Sequence, residues 1–182
     1  MIKFFDFLIS LFGLLVCIPL FFILAIVCFF DTRDPIFRQT RVGQNEVPFT
    51  IFKFRTMRKG TSSMPTHLAS KHSITRLGSF LRKYKLDELP QLLNVLLGDM
   101  SLVGPRPCLT TQTSLISERN VRCIFSVKPG ITGLAQLNGV DMRDAIRLAS
   151  LDEEMLTSLN FWSYIRYIGL TLKRVIRKNP II

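Results

Sequence analysis

Residues 4–30 form an almost wholly apolar segment that ends at a charged turn, residues 31–35. A helix of this length is long enough to enter a lipid bilayer. A cleaved signal peptide fits less well, because the segment exceeds the usual apolar core and lacks a small-residue cleavage site before the charged turn. The chain is therefore predicted to begin with a membrane helix.

The topology of this helix depends on Pro19, which lies near its middle. A proline inside a helix removes one hydrogen bond and clashes with the carbonyl four residues earlier, so a kink is predicted. A kinked helix could enter and leave on one side, with Lys3 and Arg33 both on the cytoplasmic face that positive residues prefer. Helices also span membranes with a proline kink, so re-entrant and spanning topologies are close to even on physical grounds.

The composition points to a membrane surface as well. The 182 residues suffice for one compact domain with an appended element, and they carry a formal net charge of +11 although 48% are hydrophobic. A basic and apolar chain suits anionic lipids. A nucleic-acid-binding protein would also be basic, but it would have little use for the apolar N-terminus, so no nucleic acid is expected as a partner.

The cysteines and histidines do not form a recognisable metal or redox motif. The residues concerned are Cys17, Cys28, Cys108, Cys123, His67 and His72. Their spacing matches neither a zinc knuckle nor a CxxC motif. We expect the cysteines to be buried thiols in a reducing compartment and the histidines to be loop residues.

The rest of the chain predicts short helices and one hairpin. A turn near residues 43–45 precedes an alternating apolar and polar stretch at residues 48–54, which predicts a β-hairpin. A polar loop is expected at residues 60–70, followed by an amphipathic helix from Ser73. The mixed aromatic and basic residues 161–178 suit a helix lying at a membrane interface, or alternatively a solvated basic tail.

Asp87 and Glu88 are adjacent carboxylates at a predicted helix start, with Asp87 near the N-cap and the helix ending around Gly98. Helix capping alone could explain the pair. The surrounding sequence also carries cations, and carboxylates beside cations resemble a phosphate site. These cations are Lys53, Arg55, Arg82 and Arg106.

Four motifs carry a family resemblance: FKFRTM at residues 52–57, LDELPQ at 86–91, GDMSLVGPRP at 98–107 and KPGITGLAQ at 128–136. Together and in this order they resemble the bacterial sugar transferases, the monotopic phosphoglycosyl transferases. The resemblance covers nearly the whole chain and looks like the family's minimal form. It implies a mostly helical α/β fold with a re-entrant membrane helix, interfacial amphipathic helices and a small catalytic domain on the cytoplasmic face of the bacterial inner membrane.

The resemblance also implies a reaction. A sugar phosphate would pass from a UDP-sugar to polyprenyl phosphate through a covalent aspartyl phospho-sugar, with release of UMP, as the first membrane step of glycan assembly. By motif position Asp87 would be the nucleophile, a task suited to a carboxylate. Glu88 is the favoured ligand of Mg²⁺, with Asp87 beside it, because attack on an anionic diphosphate requires compensating positive charge.

Further residues are assigned to substrate binding by the same resemblance. Lys53, Arg82 and Arg106 match basic positions of the motifs and could neutralise the phosphates. Asp152 aligns with an acidic position before the C-terminal helix, although the aromatic residues usual there are missing. Ile18 stands before Pro19 where the family often has a serine. The chain therefore lacks a hydroxyl that could satisfy the backbone groups freed by the kink, which the re-entrant topology would use.

The expected organisation is a membrane helix at residues 1–34 and a catalytic domain at residues 35–182. Membrane lipids and downstream glycosyltransferases are the other expected partners. Two alternatives remain open at this point: a non-catalytic membrane scaffold with the same fold, and a basic lipid-binding or nucleic-acid-binding module. Both predict that no nucleotide product forms.

Overall fold

The computed structural model describes residues 2–60, 73–140 and 142–177. The predicted class, α/β and mostly helical, is confirmed for these residues. The elements in chain order are α1 (Ile2–Thr32), β1 (Ile36–Val42), β2 (Pro48–Phe54), α2 (Arg76–Lys83), α3 (Gln91–Leu97), β3 (Ser101–Val103), α4 (Thr113–Val121), β4 (Gly130–Thr132), α5 (Leu134–Leu137), α6 (Ala145–Thr157) and α7 (Phe161–Ile176).

Helix α1 has 31 residues and contains Pro19. It is long and apolar enough to cross a membrane, judged by length and composition. One side of the helix is buried against the rest of the chain, whereas large apolar side chains such as Phe12, Phe22 and Phe30 are exposed. The buried residues are Asp6, Ser10, Leu24, Cys28 and Thr32.

Asp6 attaches the first half of α1 to the interior of the protein. Its carboxylate accepts hydrogen bonds from the Ser101 hydroxyl at 2.8 Å, the Leu102 backbone N–H at 2.8 Å and the Tyr164 hydroxyl at 2.7 Å. A buried carboxylate is tolerated when donors satisfy it in this way. The start of α1 is therefore fixed to both β3 and α7.

The second half of α1 packs against a different part of the same body. Leu24 and Cys28 form an apolar cluster with Phe54 of β2 and Leu81 of α2. At the end of the helix, the Asp31 carboxylate accepts a hydrogen bond of 2.6 Å from the Thr75 hydroxyl, and Thr75 caps α2. Both ends of α1 thus contact the residues that follow it in sequence.

The predicted β-hairpin is confirmed. Strands β1 and β2 pair antiparallel, with Ile36 opposite Phe54 and Val42 opposite Pro48. The side chain of Asn94 on α3 holds β2, because its amide accepts from the Phe52 N–H at 3.0 Å and donates to the Thr50 carbonyl at 2.7 Å. These bonds fix the backbone on both sides of residue 51 and hold the strand that carries Lys53.

A second, parallel pair of strands was not predicted from the sequence. β3 pairs with β4, and the chain segments that follow each strand remain in close contact. A Cβ atom at Gly130 would lie 2.0 Å from the Gly104 nitrogen, so this approach requires glycine. The pairing holds the segment 104–107 beside the segment 128–130.

Several local predictions need correction. Residues Leu86–Glu88 form a short 3₁₀ turn, and α3 begins only at Gln91, so Asp87 is not its N-cap. Helix α2 begins at Arg76 rather than Ser73, whereas Gly98 ends α3 as predicted, with a φ of +87°. All four cysteines are free, but only Cys28 and Cys108 are buried as predicted, whereas Cys17 is half-buried and Cys123 is exposed. His67, His72 and most of the predicted loop lie outside the described residues.

Candidate active site

Glu88 lies at the centre of a cluster of cations. Its Oε1 atom is 2.9 Å from the Lys53 Nζ and 3.1 Å from the Arg106 Nη2, and its Oε2 atom is 3.3 Å from the Lys85 Nζ. Hydrogen bonds between oppositely charged groups are stronger than neutral ones, and this carboxylate accepts three. The site therefore concentrates positive charge around one buried anion.

The local backbone explains how Glu88 and Asp87 reach this position. Lys85 adopts a left-handed conformation with a φ of +55°, which breaks the chain away from α2 and starts the 3₁₀ turn at Leu86. Asp87 and Glu88 are both buried within this turn. Pro90 follows with a helical φ of −61° and leads into α3, as its fixed ring favours.

The two carboxylates differ in their electrostatics. Burial would raise the pKa of Glu88, but the charges of Lys53, Lys85 and Arg106 hold it well below its usual range. Burial and the neighbouring Glu88 charge raise the pKa of Asp87, although nearby cations partly offset the effect. No described residue donates a hydrogen bond to the Asp87 carboxylate. Asp87 is thus the less stabilised anion of the pair.

A narrow cleft opens beside Glu88. Its walls come from the hairpin, the start of α3 and the segments around residues 106 and 130, which the parallel strand pair holds together. The residues that line it are Arg41, Ile51, Lys53, Glu88, Gln91, Arg106, Pro107, Gly130 and Ile131. The cleft therefore brings together Lys53, Glu88 and Arg106, whereas the other predicted site residues, Asp87, Arg82 and Asp152, are not among the residues that line it.

Arg82 and Arg55 have different surroundings. The Arg82 Nε donates to the Thr56 hydroxyl at 2.8 Å, and its charge is among those that lower the pKa of Asp87. Arg55 forms an ion pair with Asp34 at 2.7 Å and fixes the link between α1 and the hairpin. The structure thus places Arg82 within electrostatic reach of the carboxylates, whereas Arg55 serves the connection to α1.

Asp152 lies on α6, before the C-terminal helix α7, as the alignment indicated. Its side chain is fully buried and forms an ion pair of 2.6 Å with Arg119, which is also buried. Arg119 donates a second hydrogen bond of 2.8 Å to the Arg106 carbonyl. Through Arg119, Asp152 thus supports the segment that carries Arg106, and its predicted contact with a substrate stays a prediction.

Acidic residues at this site are candidate metal ligands. Within residues 2–60, 73–140 and 142–177, no group of three or more His, Cys, Asp or Glu side chains could hold a metal ion. Asp87 and Glu88 supply two carboxylates, and Mg²⁺ typically binds through one or two carboxylates together with substrate phosphates. Because both oxygens of Glu88 already accept hydrogen bonds from cations, binding of Mg²⁺ by this pair stays a prediction.

Three cationic residues that lie in or next to the site were missed by the sequence analysis. Lys85 lies directly before the 86–91 motif and could have been noticed as a nearby cation. Arg41 and Arg119 are 47 and 31 residues from Glu88 in the chain, and no local pattern points to them. Their roles depend on the hairpin and on the packing of α4 against α6.

Comparisons with known proteins identify the family to which the sequence is similar. The sequence profile described as bacterial sugar transferase matches residues 1–178. The chain is 39% identical to the uncharacterized sugar transferase EpsL of Bacillus subtilis, over 85% of this chain and 76% of that protein. It is 38% identical to an undecaprenyl-phosphate glucose phosphotransferase of Komagataeibacter xylinus, over 94% of this chain and 35% of that protein.

A third relative is a UDP-glucose:undecaprenyl-phosphate glucose-1-phosphate transferase of Caulobacter vibrioides, 37% identical over 86% of this chain and 61% of that protein. The profile match and these relatives define the class of the protein, a sugar transferase. The chain belongs to the bacterial sugar transferase family. It spans only part of the longer relatives, about a third of the Komagataeibacter protein.

Proposed function

We propose that this protein transfers a sugar phosphate from a UDP-sugar to polyprenyl phosphate and releases UMP. The observation that carries the proposal is Asp87, a buried carboxylate with a raised pKa, next to Glu88 and its three cations. The names of the relatives, which specify undecaprenyl phosphate and in one case UDP-glucose, support the same substrates. The step would begin a bacterial surface glycan on a lipid carrier.

Asp87 would act as the nucleophile in two steps. In the first, a carboxylate oxygen forms a bond to the β-phosphorus of the UDP-sugar while the bond to the bridging oxygen breaks, and UMP leaves with the electron pair. The sugar phosphate is then an acyl phosphate on Asp87. In the second, an oxygen of the polyprenyl phosphate attacks the same phosphorus and the Asp87 carboxylate leaves. No described residue donates a hydrogen bond to this carboxylate, so no such bond would have to break before it attacks.

The cations around Glu88 would stabilise the charge that develops on the phosphates. Lys53 and Arg106 both border the cleft and both bind Glu88 before substrate arrives. A bound phosphate can share these donors, and fixed cations in a partly desolvated site act more strongly than they would in water. The result is a site prepared for a diphosphate before the donor binds.

Mg²⁺ would be held by Asp87 and Glu88 together with the donor's phosphates. It would supply positive charge that offsets the repulsion between a carboxylate and a diphosphate. We expect removal of divalent ions with EDTA to lower the rate of UMP release on the order of 10²-fold, and added Mg²⁺ to restore it. Full turnover after EDTA treatment, with an unchanged melting temperature, would exclude the metal.

The function is tested by incubating the purified protein in detergent with a panel of UDP-sugars, Mg²⁺ and undecaprenyl phosphate while UMP is measured. We expect UMP to appear with at least one donor, together with a lipid that carries the sugar phosphate. If a correctly folded protein yields no UMP from any donor, the enzymatic proposal fails and a non-catalytic scaffold becomes the better account.

We also propose that α1 is re-entrant and that the catalytic body lies on the cytoplasmic face of the inner membrane. Support comes from the contacts of the helix: Asp6 near its start and Cys28 near its end both pack against the same body. A straight helix crossing a bilayer would separate these two ends by the membrane thickness. Helix α7 would lie at the interface, since Trp162 and Ile176 are exposed on a helix that also carries basic residues.

Cysteine labelling of spheroplasts with a membrane-impermeant maleimide tests this topology. Lys3→Cys and Arg33→Cys should both remain unlabelled until the membrane is permeabilised. The exposed native Cys123 serves as the internal reference for the side of the catalytic body. Labelling of one introduced cysteine but not the other in intact spheroplasts would show a spanning helix.

A further inference from the structure

Two polar side chains line the cleft without a part in the reaction described above. Arg41 lies on β1, and Gln91 is the first residue of α3. Gln91 is only 2% exposed, and its Nε2 amide has no hydrogen-bond partner among the described residues. The Nε of Arg41 is likewise buried and unpartnered within the same part of the chain. Both residues thus border one cleft, and each has a buried donor without a partner within the described structure.

The other nitrogens of Arg41 hold its guanidinium in place. Nη1 donates to the Pro107 carbonyl at 3.2 Å, and Nη2 donates to the Gln39 side chain at 2.6 Å. These bonds orient the guanidinium group, and its Nε is the donor that remains without a partner. A buried donor without a partner is destabilising, so an acceptor that reached both side chains would recover that free energy.

The charge of the cleft indicates what kind of acceptor would bind. Three lining residues, Arg41, Lys53 and Arg106, are cationic, and Glu88 is the one carboxylate among the residues that line the cleft. Burial and the nearby Arg106 charge lower the pKa of Arg41 to about 10. An anion between the two guanidiniums would relieve their repulsion, and the free groups are N–H donors, so the ligand must contribute oxygen acceptors.

We propose that Arg41 and Gln91 form a subsite that binds a phosphate oxygen of a substrate beside the Glu88 cluster. This inference rests on the proposed function, which supplies two phosphate-bearing ligands. One is the donor, whose nucleotide phosphate leaves as UMP, and the other is the lipid acceptor. Both present the same chemistry, a phosphate ester, and the experiment separates them.

The test measures binding rather than turnover. Full-length protein in detergent is titrated by calorimetry with UMP in one arm and farnesyl phosphate, a short polyprenyl phosphate, in the other. The variants are Arg41→Gln, which removes charge and donors, and Gln91→Leu, which removes the amide at similar size. The matched control is Arg38→Gln, because Arg38 is an exposed arginine of the same strand.

We expect Arg41→Gln to weaken the binding of one probe by about ten-fold or more, and Gln91→Leu to weaken the same probe by roughly three- to ten-fold. The control should bind like the wild type. A loss of affinity for UMP assigns the subsite to the UDP-sugar. A loss of affinity for farnesyl phosphate assigns it to the polyprenyl phosphate. Equal losses in both arms indicate one subsite used in both steps.

Wild-type affinity for both probes in Gln91→Leu and Arg41→Gln would overturn the inference, as would a wild-type protein that binds neither probe. Arg41→Gln also loses bonds to Pro107 and Gln39, so a melting curve must accompany it. If that variant is misfolded, the result with Gln91→Leu alone tests the inference. This substitution breaks no bond of the Gln91 Nε2, because that atom has no partner within the described structure. A protein that shows these binding losses yet never releases UMP would refute the proposed function and not this subsite.

Discussion

Replacing Asp87 by Asn should lower the rate of UMP release by at least about 10³-fold, because the amide keeps the shape of the side chain but cannot attack phosphorus. The fold should survive. Burial raises the pKa of Asp87, so its ionised form costs folding free energy, and the neutral amide removes that cost. We therefore expect the melting temperature of Asp87→Asn to equal or exceed that of the wild type.

The matched control for this variant is Glu154→Gln, which makes the same carboxylate-to-amide change at an exposed position on α6. It should keep wild-type turnover and stability. UMP release is measured at saturating UDP-sugar so that weakened binding does not mimic lost chemistry. Full turnover by Asp87→Asn would remove Asp87 from the proposed role, whatever happens to stability.

The largest effect on stability is expected at the buried ion pair. Asp152→Asn leaves the Arg119 guanidinium buried beside a neutral amide, and breaking a buried pair by removing one partner costs about 3–5 kcal/mol. Because Arg119 also donates to the Arg106 carbonyl, UMP release should fall as well, through displacement of Arg106 rather than loss of a substrate contact. Chemical denaturation, monitored by circular dichroism, measures the change in the free energy of unfolding.

Glu154→Gln again provides the control, now for stability, and should change the free energy of unfolding by less than about 0.5 kcal/mol. The double variant Asp152→Leu with Arg119→Met removes both charges and should be more stable than Asp152→Asn, since no uncompensated charge is left buried. If Asp152→Asn unfolds at the same denaturant concentration as the wild type, the ion pair does not have the role described here.

The sequence alone predicted those parts of the site that lie within short motifs. Lys53, Glu88 and Arg106 meet in the cleft as the motif positions indicated, and the hairpin that carries Lys53 was predicted from its alternation. The end of helix α3 at Gly98 was predicted from the preference of left-handed backbone positions for glycine. Each of these features depends on residues that are close in the chain.

The parts that could not be predicted depend on distant pairs. Asp6 meets Tyr164 across 158 positions in the chain, and Arg119 meets Asp152 across 33. No periodicity or local propensity encodes such pairs, which form only when separate elements pack. The start of α3 was misplaced because the left-handed turn at Lys85 is uncommon for a non-glycine residue, and Asp87–Glu88 reads locally as a helix cap.

The position of Asp6 changes the interpretation of the N-terminal segment. In the sequence it interrupts an apolar stretch, and in the structure it is the acceptor that joins α1 to β3 and α7. Helix α1 is therefore attached to the body that carries Glu88, and it is not a simple anchor. The division into a membrane helix at 1–34 and a catalytic domain at 35–182 remains a prediction.

The central claim, that Asp87 becomes covalently linked to the sugar phosphate, is tested most directly by mass spectrometry. The protein is incubated with Mg²⁺ and the UDP-sugar that supports UMP release, without lipid acceptor, and is then digested and analysed. We predict one added sugar phosphate on the peptide that contains Asp87, and its disappearance when undecaprenyl phosphate is added. An adduct on another residue, or turnover without any adduct, would contradict the claim.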